Sequence, residues 1–380
     1  MKQYAILEAM DLSFLTEKLS WRDGGKLFGS GSFLGIDIGA SSIKVVQLKK
    51  EKERAVLETY GELALSKYAN AEAGKPVKML ETKLVEALKD LIRESQISAK
   101  RAYVSIPLRN SFLTTFELPE LSESELKSSV PYEARKYIPI PLSEVVLDWW
   151  VLPPRSEDIA QASIGSVKKK FISVLLAAVP REVIARHDLI IKESGLEIEA
   201  YEIETFALGR SILRHDLGTL MVMDIGASST KMAIVDAGAA RLAHSIDKGS
   251  SEFTFALSQA MNINFERAEI LKRENGILHK PESEGVASII EPLAEYIANE
   301  GERFLLSWKR HGGKEISRVV LGGGGALLKG IEDFFVKKFG VEVNVANPFS
   351  RVVYPAFLEP TLKEIGPSFI NAVGAALKGF

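Results

Sequence analysis

The sequence predicts an α/β protein built from two similar halves, and three observations lead to that prediction. The segment FLGIDIGASSIKVVQL at 33–48 recurs as MVMDIGASSTKMAIVD at 221–236, and both copies contain DIGASS, starting at Asp37 and Asp224. In each copy, apolar and β-branched residues flank a short turn of small residues, which is typical of a strand–turn–strand hairpin. The two copies start 187 residues apart, a period far too long for a solenoid repeat. We therefore expect each half to open with the same hairpin.

Length and composition limit the classes of protein to which the chain can belong. With 380 residues the chain has room for two or three domains, and 46% apolar with 26% charged residues is ordinary globular composition. The net charge of −2 gives no reason to expect a nucleic acid or an acidic membrane surface as partner. The chain has no cysteine, which excludes thiolate catalysis, disulfides and cysteine-ligated zinc.

No segment of the sequence is long and apolar enough to cross a membrane. The stretch Phe171–Val179 is interrupted by Ser173 and is far shorter than the ~20 residues that a spanning helix needs. Residues 1–20 predict a short amphipathic helix and 22–32 a Gly/Ser-rich linker, and acidic residues near the N-terminus argue against a secretory signal. We expect a soluble, cytoplasmic protein whose folded body starts at Phe33.

The remaining elements follow from apolar spacing, caps and breakers. Between the copies of the repeat, Ser122 and Glu125 form a capping box, and Pro131 is expected to interrupt or kink the helix that the box opens. The other predicted elements are a helix at 75–95, a strand at 171–179, a helix from Arg181 to about Ser194 that Gly195 ends, helices at 253–275 and 284–309, a strand from Val319 that leads into a glycine run and a helix, and a closing helix at 369–377.

The composition of the two turns suits a phosphate group. Glycine lets backbone N–H groups approach a phosphate without a Cβ in the way, and the hydroxyl groups of Ser41, Ser42, Ser229 and Thr230 can add donors. Lys44 can supply a positive charge. A carboxylate before each turn cannot touch phosphate, but it can hold Mg²⁺ through water. The two aspartates that open the hexapeptides therefore form a candidate metal–phosphate site.

Each of these motifs also has an ordinary structural interpretation. One DIG turn alone is more often a tight turn in which the aspartate accepts local backbone hydrogen bonds, and the duplication is what favours a shared site. Lys231 is expected to be a solvated side chain at a strand edge. The Gly322–Gly325 run fits neither GxGxxG nor the Walker pattern, so it is a flexible loop or a backbone platform for a nucleotide. Glu269 and Lys272 fit an exposed ion pair on one helix face.

Together these motifs resemble the actin-like ATPase superfold, which actin, the heat-shock chaperones, sugar kinases and the bacterial protein FtsA share. The resemblance implies two RNase H-like halves around a nucleotide cleft, with the hairpins as phosphate loops and the glycine run as the adenosine loop. Two small-residue helices, at 203–211 and 369–377, would cross beneath the nucleotide, where Gly209 and Gly374 would allow close approach. Glu204 would orient the attacking water, and its charge would repel the γ-phosphate and slow hydrolysis.

The resemblance also implies which residues hold ATP and Mg²⁺. The segment RAEILK resembles the helix that contacts ribose and adenine in bacterial members of the superfold. The implied nucleotide-binding residues are Asp37, Gly39, Ser41, Ser42, Lys44, Asp224, Gly226, Ser228, Ser229, Thr230, Glu269, Lys272, Gly322, Gly323 and Gly324, with Asp37 and Asp224 holding Mg²⁺ through water.

A narrower resemblance covers about residues 33–380. LPELSESELKSSVPYEARKYIPIPLSEVVLDWWVL at 118–152 and the stretch from Val174 through Gly209 are similar to the PilM family of type IV pilus assembly proteins, from which Pro131 and the 32-residue leader depart. That family carries an FtsA-like α+β subdomain inserted in its first half. The implied division is a leader and linker at 1–32, a first half at 33–106 and 197–216, an inserted subdomain at 107–196, and a second half at 217–380 whose final helix returns to the hinge.

The family resemblance implies a cytoplasmic ATP-binding scaffold of the type IV pilus inner-membrane complex, which serves twitching motility, DNA uptake or secretion. The scaffold would bind the N-terminal cytoplasmic tail of PilN and so be recruited to the inner face of the inner membrane. Tyr132, Tyr137, Trp149 and Trp150 are candidates for the partner groove, or core aromatics of the inserted subdomain. Self-association and slow ATP turnover stay open. The alternatives are an FtsA-like filament protein, which the chain end at Phe380 disfavours, and a small-metabolite kinase.

Overall fold

The computed structural model describes residues 31–154, 171–213, 218–281 and 283–380. The predicted leader helix and nearly all of the predicted linker lie outside these residues. The strands are β1 (Ser32–Ile38), β2 (Ser42–Glu51), β3 (Arg54–Ala64), β4 (Arg101–Ile106), β5 (Phe112–Pro119), β6 (Val145–Val151), β7 (Phe171–Pro180), β8 (Glu197–Ile203), β9 (Leu220–Ile225), β10 (Thr230–Asp236), β11 (Ala239–Ile246), β12 (Arg318–Gly322) and β13 (Glu342–Val345). The α-helices are α1 (Glu81–Glu94), α2 (Glu123–Ala134), α3 (Arg181–Glu193), α4 (Glu204–Ile212), α5 (Ser250–Met261), α6 (Phe265–Asn275), α7 (Glu284–Arg310), α8 (Ile331–Phe339), α9 (Glu359–Ile365) and α10 (Ile370–Ala376).

Two five-stranded sheets have the same topology, which confirms the two similar halves. Their orders are β3-β2-β1-β4-β8 and β11-β10-β9-β12-β13. In each sheet, the first strand of the hairpin pairs antiparallel with the next strand of the chain, and on its other side two further strands follow in parallel. The register is also the same, because Asp37 lies opposite Lys44 and Asp224 lies opposite Lys231. The repeat therefore forms two equivalent hairpins, as predicted.

Alternation along β1 explains how the first sheet is covered on both faces. Successive side chains of a strand point to opposite faces. Leu34 and Ile36 face a core to which α1 and α3 contribute Leu88 and Ile184. On the other face α10 lies so close that a Cβ on Gly35 would meet the Ala372 carbonyl oxygen at 2.1 Å. The first half is thus a sheet between two helical layers, as expected of strands paired in parallel.

A third sheet, of order β5-β7-β6 and antiparallel throughout, carries α2 on one face. The predicted capping box is confirmed, since the Ser122 side chain accepts from the Glu125 N–H and the Glu125 carboxylate accepts from the Ser122 N–H. The helix is not interrupted at Pro131, because α2 continues to Ala134, and a kink there stays a prediction. Proline removes one backbone donor near the end of the helix, while the fully buried Val130 and Ala134 hold that last turn against the sheet.

Helix α3 follows β7 in sequence but packs in the core of the first sheet. It spans Arg181–Glu193, as predicted, and Gly195 follows it with φ +83°. Ile184, Ile190 and Ile191 lie in the same core as the first hairpin. The domain limits stay a prediction, and this packing favours an inserted unit that ends near Pro180.

Two predicted helices are shorter or divided. The helix expected at 75–95 begins only at Glu81, because Pro76 disfavours the α region before it and the Val77 N–H bonds to the Ala40 carbonyl in the first turn. The helix expected at 253–275 is two helices, α5 and α6. Asn262 adopts a left-handed conformation (φ +52°) and ends α5, and the Asn264 side chain caps α6.

The hinge helices α4 and α10 cross at one of the two glycines predicted to allow it. A Cβ on Gly374 would meet the Ala207 carbonyl oxygen at 1.8 Å. A Cβ on Gly209 would find only the Leu213 side chain, at 3.9 Å. The close approach therefore depends on Gly374, and the expectation for Gly209 is wrong.

Candidate functional site

A cleft of about 920 Å³ opens where the turns of the two hairpins meet the glycine run after β12. Its walls are formed by strand ends and turns of both five-stranded sheets and by the helices beside them. The predicted site residues that line it are Asp37, Gly39, Ser41, Ser42, Lys44, Glu204, Asp224, Gly226, Ser228, Ser229, Glu269, Lys272, Gly323 and Gly324. The fold thus brings together residues that lie far apart in the sequence.

Two predicted residues do not line this cleft. The fully buried Thr230 donates its hydroxyl to the Lys248 carbonyl at 2.8 Å, so its side chain serves the second hairpin. Gly322 packs against α10, where a Cβ would meet Ile370 Cδ1 at 2.8 Å. Thr230 and Gly322 therefore contribute to the packing of the protein and not to the wall of the cleft.

The two hairpin turns have the same internal hydrogen bond. The Gly39 N–H donates to the Ser42 carbonyl at 3.0 Å, and the Gly226 N–H donates to the Ser229 carbonyl at 2.9 Å. A Cβ on either glycine would stand 3.0 Å from that carbonyl oxygen, so both turns are closed around glycine. Each turn presents small residues and hydroxyl groups to the cleft.

Lys231 lies between two buried carboxylates, so the expectation of a solvated side chain is wrong. Its Nζ is 3.2 Å from Glu204 Oε2 and 3.3 Å from Asp224 Oδ2, and the Glu204 and Asp224 side chains are only 4% and 3% exposed. Glu204 Oε1 also accepts from the Leu108 N–H at 2.7 Å. The lysine thus joins the second hairpin to the start of α4.

Burial and neighbouring charges together set the pKa values of the ionisable groups in this part of the cleft. Burial raises the pKa of Glu204 to about 7, although Lys231 opposes the shift. Burial likewise raises the pKa of Asp37, with Lys44 and Lys231 acting in the opposite direction. Burial alone would lower the pKa of Lys231, but Asp224 and Glu204 outweigh it and hold that pKa above its usual value. Lys231 therefore stays charged.

Lys44, the equivalent lysine of the first hairpin, has different partners. Its Nζ lies 2.6 Å from Ser42 Oγ and 2.9 Å from Glu62 Oε1. Burial favours a raised pKa for Glu62, yet Lys44 and Ser42 hold it below its usual value. At the edge of the first turn, the positive charge of Lys44 is therefore already balanced by the Glu62 carboxylate.

Glu269 and Lys272 form a buried pair rather than the exposed pair that their spacing favoured. Their charged atoms lie 2.7 Å apart, and the side chains are 13% and 9% exposed. Thr254 donates to Glu269 at 2.6 Å and accepts from Lys272 at 2.9 Å. Burial lowers the pKa of Lys272; it would raise that of Glu269, but Lys272, Thr254 and Arg273 hold that pKa below its usual value.

The glycine run packs tightly on the end of β9. Gly323 has φ +79°, and a Cβ there would stand 2.4 Å from Asp224 Oδ1. A Cβ on Gly325 would stand 2.3 Å from Ile225 Cγ2. Side chains are thus excluded at these two positions, and the run forms a fixed backbone wall.

Among the polar cleft residues that sequence reasoning missed, three contact predicted members of the site directly. Besides Lys231, these are Asn371 and Arg109. Asn371 of α10 donates to Asp224 Oδ2 at 3.1 Å, while its buried Oδ1 has no hydrogen-bond partner among the described residues. Arg109 Nη1 lies 3.4 Å from Ser228 Oγ. Asn371 and Arg109 belong to no sequence motif, so only the three-dimensional arrangement reveals them.

The sheet orders, the crossed hinge helices and the cleft between the halves define an actin-like ATPase fold. The chain resembles the solved PilM–PilN type IV pilus biogenesis complex with TM-score 0.73 and 24% identity, over 91% of this chain and 98% of that one. It resembles the ethanolamine utilization protein EutJ from Carboxydothermus hydrogenoformans with TM-score 0.53 and 16% identity over 99% of both chains. It resembles ADP-bound MreB5 of Spiroplasma citri with TM-score 0.50 and 13% identity, over 91% of this chain and 95% of that one.

The family described as type IV pilus assembly protein PilM matches residues 35–380. The chain therefore belongs to the PilM family, which confirms the resemblance drawn from its sequence. The match favours neither the filament protein nor the metabolite kinase. Among the described residues, no helix combines the length and apolar character needed to span a membrane.

Proposed function

We propose that this protein is an ATP-binding scaffold of the type IV pilus inner-membrane assembly complex, and that it binds the cytoplasmic tail of a PilN-type partner. The observation that carries the proposal is the PilM family match over 35–380. The solved complex that this chain resembles contains PilN together with PilM. A tail held in this way would recruit the protein from the cytoplasm to the inner face of the inner membrane.

Nucleotide binding is supported by the two facing turns. They bring small residues with little side-chain bulk and serine hydroxyl groups to one cleft, next to the fixed backbone wall of the glycine run, and turns of this kind can bind phosphate through their backbone. The buried Glu269–Lys272 pair fits the ribose and adenine end of such a site. MreB5, which has the same fold, was solved with ADP bound.

The carboxylates suit a magnesium ion held through water. No group of three or more metal-ligating side chains occurs among the residues that the structure describes. Mg²⁺ keeps much of its water shell and binds through one or two carboxylates plus substrate phosphates, which Asp37 and Asp224 would allow. Bound there, the ion would neutralise phosphate charge, while Glu204 would orient a water from its buried position. Because both Glu204 oxygens already accept hydrogen bonds, we expect slow turnover.

Asp37→Ala and Asp224→Ala should each abolish Mg²⁺-dependent ATP binding, because each change removes one of the two carboxylates available to the ion. Calorimetric titration with ATP, in Mg²⁺ and in EDTA, measures the effect. Asp333→Ala, at an exposed site on α8 away from the cleft, is the matched control and should bind as wild type does. Normal Mg²⁺-dependent binding by both cleft variants would show that the paired turns are not the nucleotide site.

The inserted unit offers exposed aromatic side chains for a partner. Tyr132, Tyr137 and Trp150 are 69%, 44% and 38% exposed. Tyr137 also stacks on Phe116 with ring centroids 5.4 Å apart, which fixes its ring. Trp149 instead is partly buried and packs against the core between the inserted sheet and α2. Three of the four predicted aromatics are therefore accessible.

A synthetic PilN tail peptide should bind the protein, and Tyr137→Ala should weaken that binding about 10-fold, the effect typical of a fixed aromatic contact. Fluorescence anisotropy of the labelled peptide, with and without ATP, measures the affinity. Phe357→Ala, which removes another highly exposed aromatic ring outside the inserted unit, should leave it unchanged. If the wild-type protein binds no peptide in either nucleotide state, the adaptor role is wrong.

A further inference from the structure

Most lysines and arginines that line the cleft are already paired with carboxylates. The pairs, all within 4 Å, are Lys44 with Glu62, Arg186 with Glu81, Lys231 with Glu204 and Asp224, Lys272 and Arg273 with Glu269, and Lys363 with Glu359. Lys329 bonds to the Glu274 carbonyl. Within the described part of the chain, Lys78 and Arg109 line the cleft with neither a carboxylate nor a carbonyl partner.

Of these two, Arg109 touches a phosphate-type turn. Its Nη1 lies 3.4 Å from the hydroxyl of Ser228, which belongs to the second DIGASS turn. This distance exceeds the usual range for a hydrogen bond to nitrogen, so the guanidinium is only weakly held. Lys78 has no such contact with the side chains of either turn. Arg109 is therefore an uncompensated guanidinium at the edge of the second turn.

The backbone that carries Arg109 is well fixed. A short 3₁₀ turn, Leu108–Asn110, follows β4, and the Leu108 N–H donates to the buried Glu204. The Ser111 hydroxyl bonds to the carbonyls of Pro107 and Leu108. The guanidinium thus has a rigid base beside the buried acid and an exposed head that faces the cleft.

We propose that Arg109 binds the terminal phosphate of a nucleoside triphosphate, so that the cleft prefers ATP to ADP. This inference rests on the proposed nucleotide function. The planar guanidinium matches phosphate oxygens in a bidentate arrangement, which a lysine does not reproduce. Because ADP lacks the terminal phosphate, it leaves Arg109 with its single contact to Ser228. The other proposed contacts of the nucleotide are the same for ADP and for ATP.

Arg109 also connects the cleft with the inserted sheet. It lines a second cavity of about 350 Å³, together with Phe112 and Tyr137 of the inserted unit and His244 of β11. Strand β5 of the inserted sheet begins two residues after the Arg109 turn ends. A triphosphate that draws the guanidinium towards the second turn therefore acts on the first residues of the inserted sheet. ADP has no equivalent effect.

Calorimetric titration of the full chain with ATP and with ADP tests the proposal. Arg109→Ala should weaken ATP binding by about 10-fold or more, as expected for the loss of a hydrogen bond to a charged group, and ADP binding by less than about 2-fold. Arg109→Lys keeps the charge and should fall between wild type and Arg109→Ala for ATP. Arg186→Ala removes an arginine that is paired with Glu81 on the cleft wall, and should leave the ATP to ADP affinity ratio unchanged.

The outcomes separate this proposal from the one on which it rests. If wild type binds both nucleotides and Arg109→Ala keeps the same affinity ratio, Arg109 does not read the terminal phosphate, while nucleotide binding stands. If wild type binds neither nucleotide, both proposals fall. Hydrogen exchange gives a second measurement. ATP, but not ADP, should slow exchange of the amides at 108–114 in wild type, and ATP should lose that effect in Arg109→Ala.

Discussion

Gly374→Ala is expected to lower the free energy of unfolding by about 3 kcal/mol or more, the upper part of the range for a carbon added to a packed interior. The new Cβ would stand 1.8 Å from the Ala207 carbonyl oxygen, far inside van der Waals contact. That oxygen belongs to the backbone of α4, so only a displacement of one whole helix could relieve the clash. Urea unfolding followed by circular dichroism measures the loss.

Gly209→Ala is the matched control on the opposing helix. Only Leu213 Cδ1 lies near the added Cβ, at 3.9 Å, which is ordinary contact. Since alanine is favoured over glycine in a helix interior by up to about 1 kcal/mol, this variant should be as stable as wild type or slightly more stable. Equal losses in the two variants would mean that the helices do not cross at Gly374.

Lys231→Met is expected to destabilise the protein by about 3 kcal/mol at neutral pH, because it leaves two buried carboxylates without their cation. Both acids lie within 3.3 Å of the Lys231 Nζ. Methionine fills similar space, so the effect is one of charge. The repeat supplies the control, since Lys44→Met changes the lysine at the same register. Glu62, its ion-pair partner, is 42% exposed, so that variant should lose less stability than Lys231→Met even though Lys44 also acts on Asp37.

The loss in Lys231→Met should shrink as the pH falls. Burial raises the pKa of Glu204 to about 7 even with Lys231 present, and removal of the lysine takes away an opposing influence. A carboxyl whose pKa is higher in the folded state than in the unfolded state favours folding at low pH, and that contribution fades as pH rises through the folded pKa. Urea unfolding at pH 5 and pH 8 should show the smaller deficit at pH 5. An equal deficit at both would mean that Glu204 does not titrate in this range.

Much of the fold could be predicted because the repeat is explicit in the sequence. Two identical hexapeptides, flanked by strand-like runs, fixed the hairpins and with them the equivalent sheets. The errors occurred where tertiary contacts override local signals. Pro131 lies in a helix end that buried neighbours hold, and Asn262 divides a helix that apolar spacing had joined.

The residues of the candidate site that belong to the repeat could be predicted. Side chains whose role depends on a contact with a distant part of the chain could not. Lys231 looks solvated from its strand alone, and it is buried because α4 of the first half brings Glu204 to it. Asn371 reaches Asp224 from α10, 147 residues further along the chain. Arg109 stands in a turn with no motif. Thr230, in contrast, matched the pattern, yet its hydroxyl serves the backbone of its own hairpin.

The contact between the two ends of the described chain has a consequence for folding. Phe33 packs on Phe380 with ring centroids 5.2 Å apart, and a Cβ on Gly379 would stand 2.4 Å from the Phe33 ring. One face of β1 is therefore completed by α10 and the residues after it, which the ribosome makes long after the strand. Contacts between residues far apart in sequence form slowly. We therefore expect the apolar face of β1 to stay uncovered in the nascent chain until α10 has been made. During synthesis this face is a natural target for chaperones.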